Sequence, residues 1–219
     1  MARATGAKLI YFANPDNPMG SWHDAATVRA MVDALPEGTL LLLDEAYADL
    51  APASAVPEIA IDDPRVIRMR TFSKGHGLAG LRVGYALGAV PLIRAFDKVR
   101  NHFGMGRIAQ AGAIAALADT AWLAQVRQGV AEARTRIGAI AAENGLLALP
   151  SATNFVTVDC GRDGDFARAV LQQMVARGVF VRMPGVAPLD RCIRISVGRK
   201  AEMDVLAEVL PQALAAARG

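Results

Sequence analysis

The chain has 219 residues, of which 53% are hydrophobic and 21% are charged. This composition is typical of a globular protein with a substantial buried core and excludes an intrinsically disordered one. The formal net charge is only +3 and the basic residues are dispersed, so a nucleic-acid-binding surface is not expected.

The sequence also gives expectations about location. No apolar stretch has membrane-spanning length, and residues 1–8 lack the apolar core of a signal peptide. Cys160 and Cys192 are too few for a disulfide framework, and both lie in apolar, strand-like segments. We therefore expect two buried free thiols in a cytoplasmic protein that contacts no membrane, and we expect no metal site.

From residue 8 to residue 87, short apolar runs alternate with longer amphipathic or turn-rich segments. This alternation predicts an α/β fold with a mostly parallel sheet. Pro18 and Gly20 indicate a turn after the first strand, and Ser21 is the expected N-cap of the next helix. The predicted strands are residues 8–13, 39–43, 66–71 and 83–87, and the predicted helix is residues 21–35.

After residue 91 the pattern becomes helical and then mixed. The predicted elements are helices at 91–102, 107–119 and 122–144, followed by strands at 154–159, 178–182 and 193–197 and helices at 166–177 and 202–217. The second group resembles a smaller α+β domain. We therefore expect a large-domain portion at residues 1–119 and a connecting helix with a small C-terminal domain at residues 120–219.

Polar residues capable of chemistry follow the first three predicted strands. Asn17 follows the first strand, Asp44 the second and Lys74 the third. In open α/β sheets, ligands bind at the carboxyl ends of the strands. The coincidence of three such strand ends predicts a site at this edge of the sheet.

The segment Thr71–Tyr85, TFSKGHGLAGLRVGY, puts an amine, a hydroxyl and a guanidinium in one loop after a strand. The Lys74 amine can react with an aldehyde, while Ser73 and Arg82 can hold a phosphate. Pyridoxal 5'-phosphate needs both kinds of group. An ordinary exposed lysine in a glycine-rich loop is the alternative, and motifs elsewhere in the chain argue against it.

The segment resembles the signature of fold-type I pyridoxal-phosphate aminotransferases, classes I and II, especially the histidinol-phosphate aminotransferase branch. The resemblance implies that Lys74 binds the cofactor aldehyde and then moves the proton of the substrate α-carbon. It also implies that Ser73 and Arg82 hold the cofactor phosphate. It assigns no role to His76.

Two further motifs match the same family. DEAY resembles the family motif whose aspartate pairs with the cofactor ring nitrogen and whose tyrosine donates to the phenolic oxygen, which implies these roles for Asp44 and Tyr47. NPDNPMG is close to the family's NPxNPTG, in which the second asparagine, here Asn17, also donates to that oxygen. Met19 departs from the usual threonine.

Three residues of the C-terminal part match positions that bind substrate. Arg194, in CIRISVG, corresponds to the arginine that forks the substrate carboxylate, and an arginine inside an apolar strand is unusual without such a task. Arg182, in FVRMPG, resembles a position that contacts the substrate phosphate. Asn154, in SATNFV, matches a position near cofactor and substrate. For Arg182, a plain exposed arginine is the alternative.

The resemblance implies an α/β fold: the mostly parallel sheet of the aminotransferase large domain, incomplete here, followed by a smaller α+β C-terminal domain. It implies a homodimeric transaminase of amino-acid biosynthesis. The enzyme would move an amino group between an amino acid or a histidinol-phosphate-like amino-alcohol phosphate and a 2-oxo acid. Complete family members carry an N-terminal part that we expect to be missing. The alternatives are a lyase or decarboxylase of the same fold, or a truncated, non-catalytic fragment.

Overall fold

The computed structural model describes residues 2–219, which form two compact units. The first unit contains residues 2–15 and Trp22–Val126, and the second contains Asp16–Ser21 and Arg127–Gly219. We call Asp16–Ser21 the strap. The boundary expected between residues 119 and 120 coincides with the start of a long helix, whereas the two units divide inside that helix.

The first unit is built on a four-stranded sheet in the order β1-β2-β3-β4. The strands β1 to β3 are parallel, and β4 runs antiparallel to β3. Their bounds are Leu9–Ala13 for β1, Leu40–Asp44 for β2, Val66–Thr71 for β3 and Gly84–Leu87 for β4. The mostly parallel α/β sheet predicted from the sequence is therefore confirmed.

The helices of the first unit are mostly short. Their bounds are Ala2–Thr5 for α1, Ala25–Asp33 for α2, Val90–Ala95 for α3 and Arg107–Ala118 for α4, and Thr120–Glu143 forms α5, the helix that continues into the second unit. Short 3-10 helices follow at Ala48–Leu50, Ala53–Ala55, Ala79–Leu81 and Phe96–Lys98. The long helix predicted at residues 91–102 is thus replaced by α3 and one 3-10 turn.

The start of α2 differs from the prediction. Asp24, and not Ser21, is the N-cap, and its carboxylate accepts a hydrogen bond of 2.8 Å from the backbone N–H of Thr27. Ser21 is instead engaged through its carbonyl, which accepts from the N–H of Asp16 within the strap. The strap therefore ends before the helix begins.

Two apolar clusters hold the first unit together. The first packs α2 against β2 and β3 through Val28, Val32, Leu41, Leu43 and Val66, each at most 2% exposed. Each such side chain contributes about 1.5–3 kcal/mol on burial. In β2, alternate residues are buried, which leaves Asp44 at the strand's carboxyl end half-buried.

The second cluster fixes the glycine-rich loop after β3. Phe72 and Val83 pack on Ala109 and Ala113 of α4. A Cβ at Gly112 would lie 2.7 Å from Cδ1 of Leu81, so a side chain there would require the Leu81 side chain to move.

The second unit is an antiparallel three-stranded sheet covered by helices. The strands are Leu147–Ala148 (β5), Phe155–Asp159 (β6) and Cys192–Ser196 (β7), and the helices are Gly164–Ala176 (α6) and Lys200–Arg218 (α7), with a 3-10 turn at Leu189–Arg191. Its core brings together Ile137, Val158, Val170, Ile193 and Leu210, all fully buried. The strand predicted at 178–182 is reduced to one isolated bridge between Arg182 and Arg194.

Both cysteines are buried and free, as predicted. Burial, with a smaller contribution from Cys192 and Asp159, raises the pKa of the Cys160 thiol to about 12. None of the helices in residues 2–219 is long and apolar enough to cross a membrane.

Candidate functional site

Asp44 lies at the carboxyl end of β2 and is held by two donors. Its Oδ1 accepts from the backbone N–H of Ala46 at 2.9 Å, and its Oδ2 accepts from the Tyr11 hydroxyl at 2.5 Å. Since a carboxylate has about four lone-pair sites, Asp44 retains acceptor capacity for a further N–H.

Tyr11 was not predicted from the sequence, although the sheet register explains its position. Ala13 of β1 is paired with Asp44 of β2, and Tyr11 lies two residues before Ala13. Because side chains two apart in a strand share a face, Tyr11 and Asp44 project from the same face of the sheet. A correct alignment of the two strands would have revealed this contact.

Lys74 and Tyr47 meet at the same end of the sheet. Tyr47 immediately precedes the 3-10 helix Ala48–Leu50 and is 7% exposed. The half-buried Lys74 follows β3 by three residues, and its Nζ lies 5.3 Å from the centre of the Tyr47 ring. This is a cation–π contact, in which the amine lies over the face of the aromatic ring.

The loop that carries Lys74 is fixed by backbone hydrogen bonds. The N–H of Gly77 donates to the Lys74 carbonyl at 3.0 Å and forms a tight turn, in which Gly77 has a φ of +72°. Phe72 closes the loop, because its N–H donates to Val83 and its carbonyl accepts from the N–H of Leu78. These hydrogen bonds, within the turn and on either side of it, restrain the backbone that carries Lys74.

Ser73 and Arg82 belong to this loop. The N–H of Ser73 donates to the Thr71 hydroxyl at 3.1 Å. Arg82 is exposed, has a φ of +53°, and donates from one guanidinium nitrogen to the Ala79 carbonyl at 3.0 Å. A non-glycine residue in the left-handed region is uncommon. The guanidinium has five N–H donors, which suit an oxyanion such as phosphate.

In the second unit, the predicted residues Asn17 and Arg194 are in direct contact. The Arg194 guanidinium donates to Oδ1 of Asn17 and stacks on the Phe155 ring at 4.6 Å from its centre. The strap is held near them by two more hydrogen bonds, from the Thr157 hydroxyl to the Pro18 carbonyl and from the N–H of Ala152 to the Gly20 carbonyl.

Arg182 and Arg194 are directly opposite one another across the isolated bridge. The two residues exchange backbone hydrogen bonds, of 3.1 Å from Arg182 to Arg194 and 2.6 Å in the other direction. Directly opposed residues of an antiparallel pair project to the same face, with Cβ atoms about 4.5–5.5 Å apart. Two guanidinium groups therefore leave the sheet on one face.

Asn154 lies in a loop that is crossed by side-chain hydrogen bonds. The hydroxyl of Ser151 donates to the Phe155 carbonyl at 2.6 Å, and the Asn154 carbonyl accepts from the N–H of Val197. Arg134 of α5 donates to the carbonyls of Ser151 and Thr153, and burial lowers its pKa. Sequence reasoning missed Arg134, whose only signal is a charge in a half-buried helix position.

A buried cluster beside Asp44 was also missed. Glu45, 1% exposed, accepts from Arg68 and from Arg70, and Arg70 also donates to Asp49. The available signal was the pattern of two arginines in alternate positions of an apolar strand, which requires a buried partner. The residues 2–219 contain no group of His, Cys, Asp and Glu that could hold a metal ion.

The structure divides the predicted residues between the two units, and the contacts among them are Lys74 with Tyr47, Arg194 with Asn17 and Arg182 with Arg194. The first unit carries Asp44, Tyr47, Ser73, Lys74 and Arg82, and the second carries Asn17, Asn154, Arg182 and Arg194. The profile of the family described as aminotransferase class I and II matches residues 2–210. The chain belongs to this family.

Individual aminotransferases give the same result. The chain is 37% identical over 211 residues to the histidinol-phosphate aminotransferase of Geobacillus thermodenitrificans. This match covers 94% of this chain and 57% of that protein. It is 38% identical over 213 residues to histidinol-phosphate aminotransferase 2 of Ralstonia nicotianae, with 96% and 57% covered. The chain therefore spans a little over half the length of the curated aminotransferases that it matches.

Solved aminotransferase structures share the fold. The histidinol-phosphate aminotransferase of Sinorhizobium meliloti, in complex with pyridoxal-5'-phosphate, superposes with a TM-score of 0.95 at 58% identity and covers 98% of this chain and 59% of its own. A L-threonine-O-3-phosphate decarboxylase of Porphyromonas gingivalis superposes with a TM-score of 0.81 at 19% identity, covering 95% of this chain and 65% of its own. At that identity the likeness concerns the fold alone.

Proposed function

We propose that this chain is the cofactor-binding and substrate-binding part of a pyridoxal-phosphate-dependent transaminase. The enzyme transfers an amino group from an amino acid or a histidinol-phosphate-like amino-alcohol phosphate to a 2-oxo acid, as a homodimer in amino-acid biosynthesis. The observation that carries the proposal is the contact of the Lys74 amine with the Tyr47 ring, between the segments that follow the carboxyl ends of β3 and β2, where Asp44 is the last residue of β2. The similarity to histidinol-phosphate aminotransferases supports it.

The donor chemistry of the first unit fits pyridoxal phosphate. The cofactor requires an amine for its aldehyde, a carboxylate for its ring nitrogen and cationic or hydroxyl donors for its phosphate. Lys74, Asp44, and the pair Ser73 and Arg82 supply these groups from one loop and one strand end. The acceptor capacity that Asp44 retains beside Tyr11 and Ala46 supports the ring-nitrogen role.

Bound pyridoxal phosphate would supply an electron-accepting ring that stabilises negative charge at the substrate α-carbon. In this proposal Asp44 keeps a proton on the ring nitrogen, because an ionised carboxylate favours the charged form of a neighbouring base. Tyr47 would donate to the phenolic oxygen of the bound cofactor, and the family motif implies the same role for Asn17. Lys74 moves the proton of the substrate α-carbon, as a positioned general base and acid.

The substrate end of the proposal depends on the second unit. Arg194 forks the substrate carboxylate or the equivalent polar end, and Arg182 and Asn154 contribute to substrate binding. Two guanidinium groups on one face of the sheet suit a doubly charged phosphate, since each can form a charge-assisted pair of hydrogen bonds. This arrangement favours a phosphate-bearing amino donor.

The proposal places the enzyme in the cytoplasm, away from membranes and nucleic acids. The free, buried thiols of Cys160 and Cys192 support a reducing compartment.

The experiment is an amino-transfer assay on the chain supplied with pyridoxal phosphate, histidinol phosphate and a 2-oxo acid. We expect the amino acid corresponding to the oxo acid to form, and this product to be absent in Lys74→Ala. Because histidinol phosphate has no carboxyl group to lose, a parallel assay uses an amino acid as the donor, and we expect it to release no carbon dioxide. Release of carbon dioxide would show that the activity is that of a decarboxylase of the same fold and not that of a transaminase. No product at all, with a cofactor-free chain, would favour a non-catalytic fragment.

The Arg182→Met variant tests the phosphate role in the same assay. It should raise the KM for histidinol phosphate and change the KM for an amino donor without phosphate much less. The matched control is Arg199→Met, an exposed arginine that is paired with Glu202 at the start of α7. Equal changes in KM for both donors in Arg182→Met would show that Arg182 does not bind the substrate phosphate.

A further inference from the structure

An ionic chain runs behind the residues that are proposed to bind the cofactor. We use this name for Glu45, Arg70, Asp49 and His76, all in the first unit. Arg70 Nε donates to Glu45 Oε2 at 2.9 Å, and Arg70 NH1 donates to Asp49 Oδ1 at 3.2 Å. The other Asp49 oxygen lies 3.7 Å from His76 Nε2.

The members of the ionic chain are close neighbours in sequence of the proposed cofactor residues. Glu45 directly follows Asp44, Asp49 lies two residues after Tyr47, and His76 lies two residues after Lys74. The ionic chain therefore joins the segment Glu45–Asp49 to β3 through Arg70 and to the Lys74 turn through the approach of Asp49 to His76. None of the four residues of the ionic chain has a role in the proposed chemistry.

The environment makes these contacts strong and geometrically restrictive. The side-chain exposures of Arg70, Asp49 and His76 are 16%, 12% and 8%, and that of Glu45 is 1%. Glu45 is balanced by a second arginine, Arg68, whose Nε and NH2 grip its two oxygens at 3.0 and 2.7 Å. Buried ion pairs contribute little net stability, but networks whose groups are all satisfied favour one conformation.

The Lys74 turn is packed against the centre of the ionic chain. A Cβ at Gly75 would lie 3.1 Å from Cβ of Asp49, which is tighter than an ordinary contact, so a side chain there would require Asp49 or the turn to shift by a few tenths of an ångström. The His76 ring also stacks obliquely on Phe72, with ring centres 5.0 Å apart. Asp49 therefore lies close to Gly75 and His76, the two residues that follow Lys74 in the turn.

We propose that Asp49 and Arg70 are positioning residues, which hold the Lys74 amine over the Tyr47 ring by fixing the Lys74–Gly77 turn to the 3-10 helix after Tyr47. This inference rests on the proposed function for its biological meaning, because it is the cofactor that needs the amine in one place. The physical content concerns the chain alone. Breaking the ionic chain releases the amine from the ring without removing any group that touches the cofactor.

The test measures the reactivity of Lys74 in the chain without cofactor. Trace acetylation with acetic anhydride, read by peptide mass spectrometry, gives the labelling rate of Lys74 relative to the exposed Lys98. The variants are Asp49→Asn, which removes the charge at nearly constant shape, and Arg70→Lys, which keeps a charge but cannot span both carboxylates. The matched control is Arg65→Lys, whose arginine forks Asp63 just before β3.

In the unaltered chain and in Arg65→Lys, Lys74 should react more slowly than Lys98. In Asp49→Asn and Arg70→Lys the ratio should rise several-fold. An unchanged ratio in both variants would overturn the inference. If one variant fails to fold, as judged by circular dichroism, the other decides the question.

A parallel titration with pyridoxal phosphate separates this inference from the proposed function. We expect a Lys74-dependent absorbance band that needs several-fold more cofactor in both variants than in the control. A band of unchanged affinity in the variants would count against positioning. Absence of the band in the unaltered chain would refute cofactor binding by this chain, while the acetylation ratio would still decide the role of the ionic chain.

Discussion

Arg194 donates a hydrogen bond to Oδ1 of Asn17 across 177 positions of sequence. Arg194 lies in β7 and Asn17 in the strap, and both belong to the second unit. The contact joins the residue proposed to bind the substrate's anionic end to one proposed to donate to the cofactor. The Asn17 side chain thus accepts a hydrogen bond that orients the Arg194 guanidinium.

A double-mutant cycle measures this contact directly. Asn17→Ala and Arg194→Lys should be coupled by about 1 kcal/mol in the free energy of unfolding, because a hydrogen bond to a charged group is lost in either variant. Asn17→Ala combined with Arg168→Ala, an exposed arginine of α6, should be additive. Additivity of the first pair to within about 0.3 kcal/mol would show that the contact has no energetic weight.

The Asp44→Asn variant separates cofactor attachment from chemistry. An amide does not keep the ring nitrogen protonated, so the variant should retain the Lys74-linked cofactor while losing most amino transfer, by about 10²-fold or more. The amide oxygen can keep the hydrogen bond from the Ala46 N–H while the Tyr11 hydroxyl accepts from the new NH2 group, which limits the structural disturbance. Near-normal turnover of Asp44→Asn would refute the ring-nitrogen role.

Gly20 should be indispensable to the strap. Its φ is +80°, and a Cβ would lie 2.4 Å from the Ser151 hydroxyl oxygen. Gly20→Ala should therefore lower the free energy of unfolding by about 1–3 kcal/mol, as measured by urea denaturation. Gly129→Ala, in α5 with nothing within 4 Å of its Cβ, is the control and should be neutral or stabilising by up to about 1 kcal/mol. Equal effects would mean that the strap adapts to a side chain.

The raised pKa of Cys160 predicts a stability loss in alkali. The folded state keeps its proton up to about pH 12, whereas the unfolded thiol releases it near its ordinary value of 9.0. The unfolded state therefore binds fewer protons above pH 9, and stability falls as the pH rises from there. The difference in unfolding free energy between the unaltered chain and Cys160→Ala should shrink from pH 8 to pH 10. A constant difference would contradict the burial of the thiol.

Local patterns were enough to predict the strands and the polar strand ends of the first unit. The apolar runs of β2 and β3 and the glycine-rich loop carry their own signals, and so Asp44 and Lys74 were found. The Tyr11–Asp44 bond was missed because it depends on register. The membership of the strap in the second unit was missed because its hydrogen bonds join residues 139 and 177 positions apart.

Propensity also misplaced some element ends. Ser21 looked like an N-cap, but the carboxylate of Asp24 reaches the N–H of Thr27 and starts α2. The strand around Arg182 has only one residue pair, which no single-sequence pattern distinguishes from a full strand. A local hydrogen bond decided the first case, and the length of the pairing with β7 decided the second.

The most direct measurement is the identity of the lysine that carries the cofactor. The chain is incubated with pyridoxal phosphate, reduced with borohydride, digested and mapped by mass spectrometry, alongside Lys74→Ala and the surface variant Lys98→Ala. The account predicts one cofactor mass per chain on the peptide that contains Lys74, unchanged in Lys98→Ala and lost in Lys74→Ala. An equal amount of adduct in Lys74→Ala, or adducts spread over the surface lysines, would contradict it.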